Sequence, residues 1–268
     1  MNLKPLVSCI IPTKNSEEFL FECLKSLKSQ TYSPIEIIVV DNFSTDLTKR
    51  ITDYYGAFFY QVGWERASQD NFGVLQSKGK YIYLSGSDMT RDLDFVEQAV
   101  EKLEQGYDAL YMSVLTDRNI KHYWGKVKAL ERLTYIGDNT IESARFFRKD
   151  VFTALGGFDI ELVQVEEDFQ HRLDSNGYKT GRINAREYHL HEEENLGQVF
   201  KKSFYYGKFM RHYLKKHKTR GIKQLQPLRS SFFRNWRLFL KQPLLTIGFI
   251  IYKIVQYTSG LMGMYAKR

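Results

Sequence analysis

The first 115 residues alternate between short, continuously apolar runs and longer segments in which apolar residues recur at helical spacing. The apolar runs predict strands at residues 7–11, 35–40, 58–62, 81–84 and 109–114. The periodic segments predict helices at residues 15–30, from about 47, at 67–77 and at 94–104. Continuous apolar runs are typical of parallel strands that are covered on both faces. We therefore predict an α/β fold with a mostly parallel, doubly wound sheet.

Polar residues at the ends of these segments predict where the helices begin and end. Asn15 and Glu18 have the spacing of a capping box and predict the start of the first helix. The polar turn at residues 41–46 is expected to cap the second helix. Gly177 is expected to end a later helix that opens near Glu166.

The alternation loosens after Leu115, although a further strand is predicted at residues 183–188. The chain contains no internal repeat and no low-complexity linker. Acidic residues stop between residues 194 and 200, and this change predicts a domain boundary. We therefore predict a globular domain at residues 1–197, with halves at about 1–115 and 116–197, and a helical extension at 198–268.

Charge divides the chain at the same place. The 268 residues have a net charge of +8, yet residues 201–268 contain sixteen lysines and arginines and no acidic residue. The first 200 residues hold 23 basic and all 31 acidic residues, which gives them a formal charge of −8. Such asymmetry points to a polyanionic partner, either an anionic membrane surface or a nucleic acid.

The basic extension is also rich in aromatic and aliphatic residues, which argues against a solvated, disordered arm. It contains three segments, at residues 199–217, 229–241 and 244–265, with Pro227 before the second. The third is about long enough to span a bilayer, but Lys253 and Gln256 lie at its middle, where charge is costly. An interfacial helix pair suits this composition better than a span or a helix packed on the protein body. The apolar content also favours a membrane over a nucleic acid.

The two cysteines, Cys9 and Cys23, make no disulfide framework and lie in apolar segments. A reducing, cytosolic compartment is therefore expected. No small-residue cleavage site follows the first apolar run, so no signal peptide is predicted at the N-terminus.

Acidic residues follow two of the predicted strands. Asp41 ends the second apolar run, and Asp88 comes just after the Ser-Gly-Ser turn at residues 85–87. In open α/β sheets, ligands bind just beyond the carboxyl ends of the strands. Asp88 is therefore placed either to hold a divalent cation against phosphate oxygens or to cap the next helix. A third acidic site, Glu167-Asp168, opens a predicted helix.

Several motifs, taken in order, resemble those of the family 2 glycosyltransferases, which have the GT-A fold. Val-Ser-Cys-Ile-Ile-Pro-Thr-Lys-Asn at residues 7–15 resembles the first strand and turn of that family, and Glu-Ile-Ile-Val-Val-Asp-Asn at 36–42 resembles the second. Asn-Phe-Gly at 71–73 leads to the metal motif, while Ala-Arg-Phe-Phe at 144–147 and Gly-Gly-Phe-Asp at 156–159 resemble the acceptor half. Each motif is weak alone, but their order and spacing together are specific. The resemblance covers about residues 5–195.

The resemblance implies roles for individual residues. Donor binding would involve Pro12, Thr13, Asn15, Asp41, Asn42, Asn71, Ser87 and Asp88. Asp88 would also bind a metal, either Mn²⁺ or Mg²⁺, together with the donor diphosphate. Asp168, beside Glu167, would be the base that takes the proton from the acceptor hydroxyl.

One position departs from the family pattern and leaves metal dependence open. Gly86 stands where the first acid of the Asp-x-Asp motif is expected. His191 would supply a compensating metal ligand, or it is a surface histidine beside Glu192 and Glu193. The sequence favours neither interpretation of His191.

Three arginines in the same region also have a structural and a functional interpretation. Arg145 and Arg172 would reach phosphate or acceptor, but such arginines more often form structural ion pairs. Arg66 is expected to form a solvated ion pair with Asp70.

These expectations combine into a functional hypothesis. We expect an inverting glycosyltransferase that moves a sugar from a UDP- or GDP-linked donor to a hydroxyl or phosphate of a lipid-linked or saccharide acceptor. It would act at the cytoplasmic face of the membrane as a peripheral or monotopic protein. The alternative is a GT-A-like module that has lost turnover and scaffolds a glycan-assembly complex, as the missing acid at Gly86 would allow. No nucleic-acid partner is expected.

Overall fold

The computed structural model describes residues 4–63, 65–217, 226 and 229–266. Pro227, which precedes the second basic segment, lies outside these residues. The strands are β1 (Val7–Thr13), β2 (Ile35–Asp41), β3 (Phe58–Gln61), β4 (Tyr81–Leu84), β5 (Met89–Arg91), β6 (Ala109–Tyr111), β7 (Val114–Thr116), β8 (Ala144–Arg148), β9 (Thr180–Arg182) and β10 (Glu187–His189). The helices are α1 (Glu17–Lys28), α2 (Thr48–Tyr54), α3 (Arg66–Gln76), α4 (Phe95–Glu104), α5 (Tyr123–Tyr135), α6 (Lys149–Ala154), α7 (Val165–Ser175), α8 (Leu196–Lys216), α9 (Ser230–Arg234), α10 (Trp236–Lys241) and α11 (Pro243–Tyr265).

These elements form two compact units. The first runs through residue 113 and includes residues 143–161 and 165–188. The second contains residues 114–142, 162–164 and 189 onward, and so includes β7, α5 and α8 to α11. This division differs from the expected boundary at residue 197, because residues 114–142 cluster with the C-terminal helices.

The first unit is built on a seven-stranded sheet of order β3-β2-β1-β4-β8-β6-β9. Strands β1 to β4 are parallel, whereas β8 runs antiparallel to both β4 and β6. The predicted α/β class and mostly parallel sheet are confirmed. β1 has β2 on one side and β4 on the other, which makes the ends of these strands the switch point where such sheets bind ligands.

The central strands β1, β2 and β4 are mainly apolar, and helices cover both faces of β1. Cys9 and Ile11 of β1 pack with Leu20 and Leu24 of α1 in the buried core. On the other face, α3 approaches so closely that a Cβ at Gly73 would lie 2.3 Å from Ile10 Cγ2. Burial of apolar side chains at roughly 25 cal/mol per Å² therefore stabilises the edge of the sheet that carries the candidate site.

Some helix and strand ends differ from the prediction. The capping box was wrong, because the Asn15 side chain bonds the neighbouring loop, and Ser16 precedes α1. The strand expected at residues 183–188 is present only in part: β9 ends at Arg182, and β10 begins at Glu187. Gly177, with φ of 76°, follows α7 as expected.

Candidate functional site

Two loops at the carboxyl ends of β1 and β2 are joined by side chains. Thr13 Oγ1 donates to Asp41 Oδ1 (2.8 Å), and the Ser44 N–H donates to Asp41 Oδ2 (2.7 Å). The Asn15 N–H donates to Ser44 Oγ (2.7 Å), while Asn15 Oδ1 accepts from the Thr45 N–H (2.9 Å). The buried carboxylate of Asp41 thus holds the two loops together through its hydrogen bonds to Thr13 and Ser44.

Backbone groups complete the connection between these loops. The Asn42 N–H donates to the Thr13 carbonyl (2.9 Å), and Pro12 lies opposite Val40 in the strand register. The buried Gln69 side chain of α3 donates to the carbonyls of Thr13 (3.0 Å) and Val40 (2.6 Å). Sequence reasoning missed Gln69, because a single amide on a helix gives no sign of which carbonyls it will meet.

A third loop, after β4, contacts the segment that follows β1. Ser87 Oγ donates to Ser16 Oγ (3.1 Å), which joins the β4 loop to the start of α1. Asp88 is half-buried in the same loop. The predicted donor residues Thr13, Asn15, Asp41, Ser87 and Asp88 therefore lie along the carboxyl ends of three adjacent strands.

Arg91 of β5 holds the Asp88 loop from its buried side. Its Nη2 donates to Ser85 Oγ (3.0 Å) and to the Met89 carbonyl (2.8 Å), and its Nη1 donates to the Cys23 carbonyl (3.3 Å). Arg91 is buried, so these bonds are made away from water and fix both ends of the loop. Sequence analysis missed Arg91, whose nearness to Asp88 along the chain was the available signal.

Gly86 leaves space for the Asp88 carboxylate. A Cβ placed at Gly86 would lie 2.7 Å from Asp88 Oδ1 and 3.1 Å from Met89 Cγ. Among the residues that the structure describes, no group of three or more His, Cys, Asp or Glu residues is placed to hold a metal ion. Mg²⁺ and Mn²⁺ prefer six oxygen ligands, so a metal ion held at Asp88 would take further oxygens from the substrate phosphates and water.

His191 belongs to the second unit and is exposed. The carbonyl of His191 contacts Nδ1 of His189, the last residue of β10. A metal-binding role for His191 stays a prediction.

The candidate base, Asp168, lies in the first turn of α7, where the helix dipole favours a carboxylate. Asp168 is buried and its Oδ2 accepts from Arg172 Nε (2.8 Å). Arg172 also donates to the carbonyls of Leu155 (2.6 Å) and Gly157 (2.7 Å). Arg172 is thus a structural partner that orients Asp168, and Glu167 beside it is half-buried.

Asn71 of α3 bonds the backbone of Phe158, in the loop that follows α6. Its Nδ2 donates to the Phe158 carbonyl (2.9 Å), and its Oδ1 accepts from the Phe158 N–H (2.8 Å). The Asn71 amide therefore anchors the loop that follows α6, and a donor contact of Asn71 stays a prediction.

The pair of Arg66 and Asp70 is not solvated as expected. Arg66 Nε lies 3.5 Å from Asp70 Oδ2, but Asp70 is buried, and this burial raises the pKa of Asp70 to about 7. Arg66 Nη2 also donates to Glu166 Oε1 of α7 (3.0 Å). Arg145 is buried and pairs with Glu187, which confirms the structural interpretation of Arg145.

A family model described as glycosyl transferase family 2 matches residues 8–159, more than half of the chain. Glycosyltransferase GlyG of Streptococcus pneumoniae serotype 4 is 31% identical over 113 residues, which cover 38% of this chain and 36% of that protein. The chain matches only about a third of the length of the first curated relatives.

Two solved structures have a similar fold. Mannosyltransferase PcManGT from Pyrobaculum calidifontis, in complex with GDP-Man and Mn²⁺, superposes with a TM-score of 0.65 at 15% identity, over 97% of this chain and 88% of that one. S. aureus TarS 1–349, in complex with UDP-GlcNAc, superposes with a TM-score of 0.56 at 18% identity, over 97% and 93%. At these identities the similarity concerns the fold, and the predicted GT-A architecture is confirmed.

Proposed function

The chain belongs to glycosyl transferase family 2, and we propose on this basis that it transfers a sugar from a nucleotide-diphosphate sugar with inversion at the anomeric carbon. The observation that carries the proposal is the meeting of three loops at the ends of β1, β2 and β4. Open α/β sheets bind nucleotides at such a crevice. The complexes of PcManGT with GDP-Man and of TarS with UDP-GlcNAc support a GDP- or UDP-linked donor.

In the proposed donor complex, Thr13, Asn15 and Asp41 line the nucleoside side of the crevice, and Asp88 lies at the diphosphate. Their fixed hydrogen bonds mean that little rearrangement accompanies binding. A divalent ion held by Asp88 and the diphosphate would offset the negative charge of the leaving group.

In the proposed transfer step, the acceptor oxygen attacks the anomeric carbon while the bond from that carbon to the diphosphate breaks. The nucleoside diphosphate leaves with the electron pair of that bond. For a hydroxyl acceptor, Asp168 takes the proton. The hydrogen bond from Arg172 orients the carboxylate for this role.

Thermal stabilisation by nucleotides tests the donor proposal. Saturating UDP or GDP, or a sugar linked to one of them, is expected to raise the melting temperature by roughly 5–10 °C in Mn²⁺ or Mg²⁺, because the ligand binds only the folded state. ADP at the same concentration is the control and should stabilise much less. Absence of both stabilisation and hydrolysis with every UDP- and GDP-sugar would contradict the transferase and favour the scaffold alternative.

We further propose that the second unit lies on the cytoplasmic face of a membrane and that the acceptor is lipid-linked. Among the described residues, α11 is the one helix long and apolar enough to cross a membrane. Of its most apolar 18-residue stretch, 22% is buried within the protein. A row of large apolar side chains on α11 is exposed: Leu244, Ile247, Ile250, Ile254, Leu261 and Tyr265. Lys253 of the same helix is half-buried and pairs with the buried Glu131 of α5. One apolar face and one paired, buried face suit a helix that lies in the interface.

Co-sedimentation with anionic liposomes tests the membrane proposal. The wild-type protein is expected to bind in low salt and to stay partly bound in high salt, because burial of apolar groups survives screening. Replacing Ile250 and Ile254 of α11 by Glu should remove most of the binding that remains in high salt. The matched control replaces two exposed leucines of the first unit, Leu75 and Leu93, by Glu.

Equal binding of the two double variants would contradict the proposed membrane face. If the protein does not bind liposomes but binds nucleic acid in a salt-sensitive manner, a nucleic acid would be favoured as the polyanionic partner. Shortening the chain at residue 226 is a poorer test than point substitution, because the buried Glu131 would lose Lys253, one of its two lysine partners.

A further inference from the structure

A cavity of about 530 Å³ lies within the second unit, among α5, α8 and α11. This volume falls in the range of small-molecule sites, roughly 300–1,000 Å³. Its walls are mainly apolar and aromatic, and include Val199, Tyr206 and Met210 of α8 and Tyr252, Leu261 and Met264 of α11. A cavity with such walls suits an apolar ligand.

The two long helices beside the cavity touch through their backbones. A Cβ at Gly207 would lie 2.2 Å from the Gly260 carbonyl oxygen, and a Cβ at Gly263 would lie 2.1 Å from the Phe204 carbonyl oxygen. Only glycine allows this approach without a shift of the helices. The separation of the cavity walls is therefore set by close backbone packing.

The cavity also carries an excess of positive charge. Its lining contains four cations, Lys128, Lys202, Arg229 and Lys253, and two carboxylates, Glu131 and Glu193. The buried Glu131 is shared between Lys128 (2.6 Å) and Lys253, so this group of three carries one net positive charge. A positive charge in apolar surroundings is stabilised by a nearby anion. An apolar ligand that ends in an anionic group would therefore suit this cavity.

We propose that this cavity binds an alkyl or prenyl chain that ends in a phosphate, with the chain between α8 and α11 and the phosphate on the cationic side. Leu261 lines the cavity and is also 53% exposed, so the cavity lies beside the apolar face of α11. A chain held in a bilayer would reach it from that face. Identifying this lipid with the acceptor rests on the proposed function, whereas the binding itself does not.

Calorimetry with short amphiphiles below their critical micelle concentrations tests the site. Decyl phosphate is expected to bind with one-to-one stoichiometry. 1-Decanol, which has the same chain without the anion, should bind at least about tenfold more weakly, and inorganic phosphate should show no measurable binding. Equal affinities for decyl phosphate and 1-decanol would overturn the assignment of the phosphate.

Two substitutions separate the cavity from the outer surface of α11. Met210→Trp fills the cavity and is expected to weaken decyl phosphate binding about tenfold or more, whereas Ile250→Trp, on the exposed face, should change it by less than about twofold. Leu261→Trp is a second filling variant at a partly exposed position. Lys202→Gln should weaken decyl phosphate about fivefold and leave 1-decanol unchanged. Melting temperatures establish that each variant is folded.

The outcomes distinguish this site from the donor site. Loss of binding in Ile250→Trp equal to that in Met210→Trp would overturn the cavity as the site. If UDP or GDP stabilises the wild-type protein but decyl phosphate does not bind to it, the cavity proposal alone is overturned. Binding of decyl phosphate by a protein that UDP- and GDP-sugars do not stabilise and that does not hydrolyse them would support the cavity while contradicting the transferase.

Discussion

Replacing Asp168 by asparagine is expected to lower turnover by about a hundredfold or more while leaving donor affinity nearly unchanged. Asparagine has the shape of aspartate and an oxygen that can accept the hydrogen bond from Arg172 Nε, but it cannot take up the acceptor proton. A hundredfold loss corresponds to about 2.7 kcal/mol of transition-state stabilisation. Initial rates with a UDP- or GDP-sugar and calorimetry with the nucleotide diphosphate measure the two quantities.

Glu167→Gln is the matched control for this substitution. It makes the same chemical change in the same turn of α7, at a half-buried position. Turnover should fall less in Glu167→Gln than in Asp168→Asn, and the melting temperatures should show both variants to be folded. A larger loss in Glu167→Gln would reverse the assignment within the pair, and normal turnover in both would exclude this segment as the source of the base.

Replacing Asp88 by asparagine should remove most of the metal-dependent part of donor binding, at least about tenfold in affinity. We expect a large effect because position 86, where the family motif has its first acid, is glycine, and Asp88 is the acid of that motif that remains. Calorimetry with the nucleotide diphosphate, with and without Mn²⁺ or Mg²⁺, separates the metal-dependent part from the rest.

Asp94→Asn is the control for the change of charge, since Asp94 is an exposed aspartate six residues farther along the chain. Asp94→Asn should bind the nucleotide diphosphate as the wild type does, and Asp88→Asn should differ from it only when metal is present. If Asp88→Asn and the wild type had equal affinities in metal, Asp88 would not be a ligand.

Gly86→Asp would restore the acid that the family motif contains, but the structure adds a steric condition. Any Cβ at position 86 would lie 2.7 Å from Asp88 Oδ1, so the Asp88 carboxylate must move first. Gly86→Ala adds the Cβ without a carboxylate, so it measures the steric effect alone. It is expected to weaken the metal-dependent binding of the nucleotide diphosphate. Gly86→Asp should bind metal more tightly than Gly86→Ala, because a second carboxylate offsets the displacement.

Local patterns were enough to predict the elements of the sheet. β4 was predicted with the observed bounds, because four apolar residues between turn residues leave little choice of where the strand begins and ends. β2 was predicted within one residue for the same reason. The antiparallel direction of β8 between β4 and β6 was not predicted, because strand direction depends on pairing between segments that are distant in the chain.

Side-chain roles that depend on distant partners were harder to predict. Asn15 looked like a helix cap, but its oxygen bonds Thr45, thirty residues away. Asn71 fitted a donor-binding motif, and that motif gave no sign that its amide also bonds Phe158, 87 residues away. A short polar side chain bonds to whichever donor the fold brings within about 3 Å, and spacing along the chain does not contain that information.

The sequence by itself determined the α/β class, the resemblance to a glycosyltransferase family and the carboxylates available for chemistry, because apolar periodicity and motif order are properties of neighbouring residues. The tertiary structure decided the surroundings of each charge. Asp70 was expected in solvent and is buried. Lys253 lay unexplained in the middle of an apolar segment until α5 placed Glu131 beside it. The energy of a charge depends on the local dielectric and on partners within a few ångströms, and segments far apart in the chain supply both.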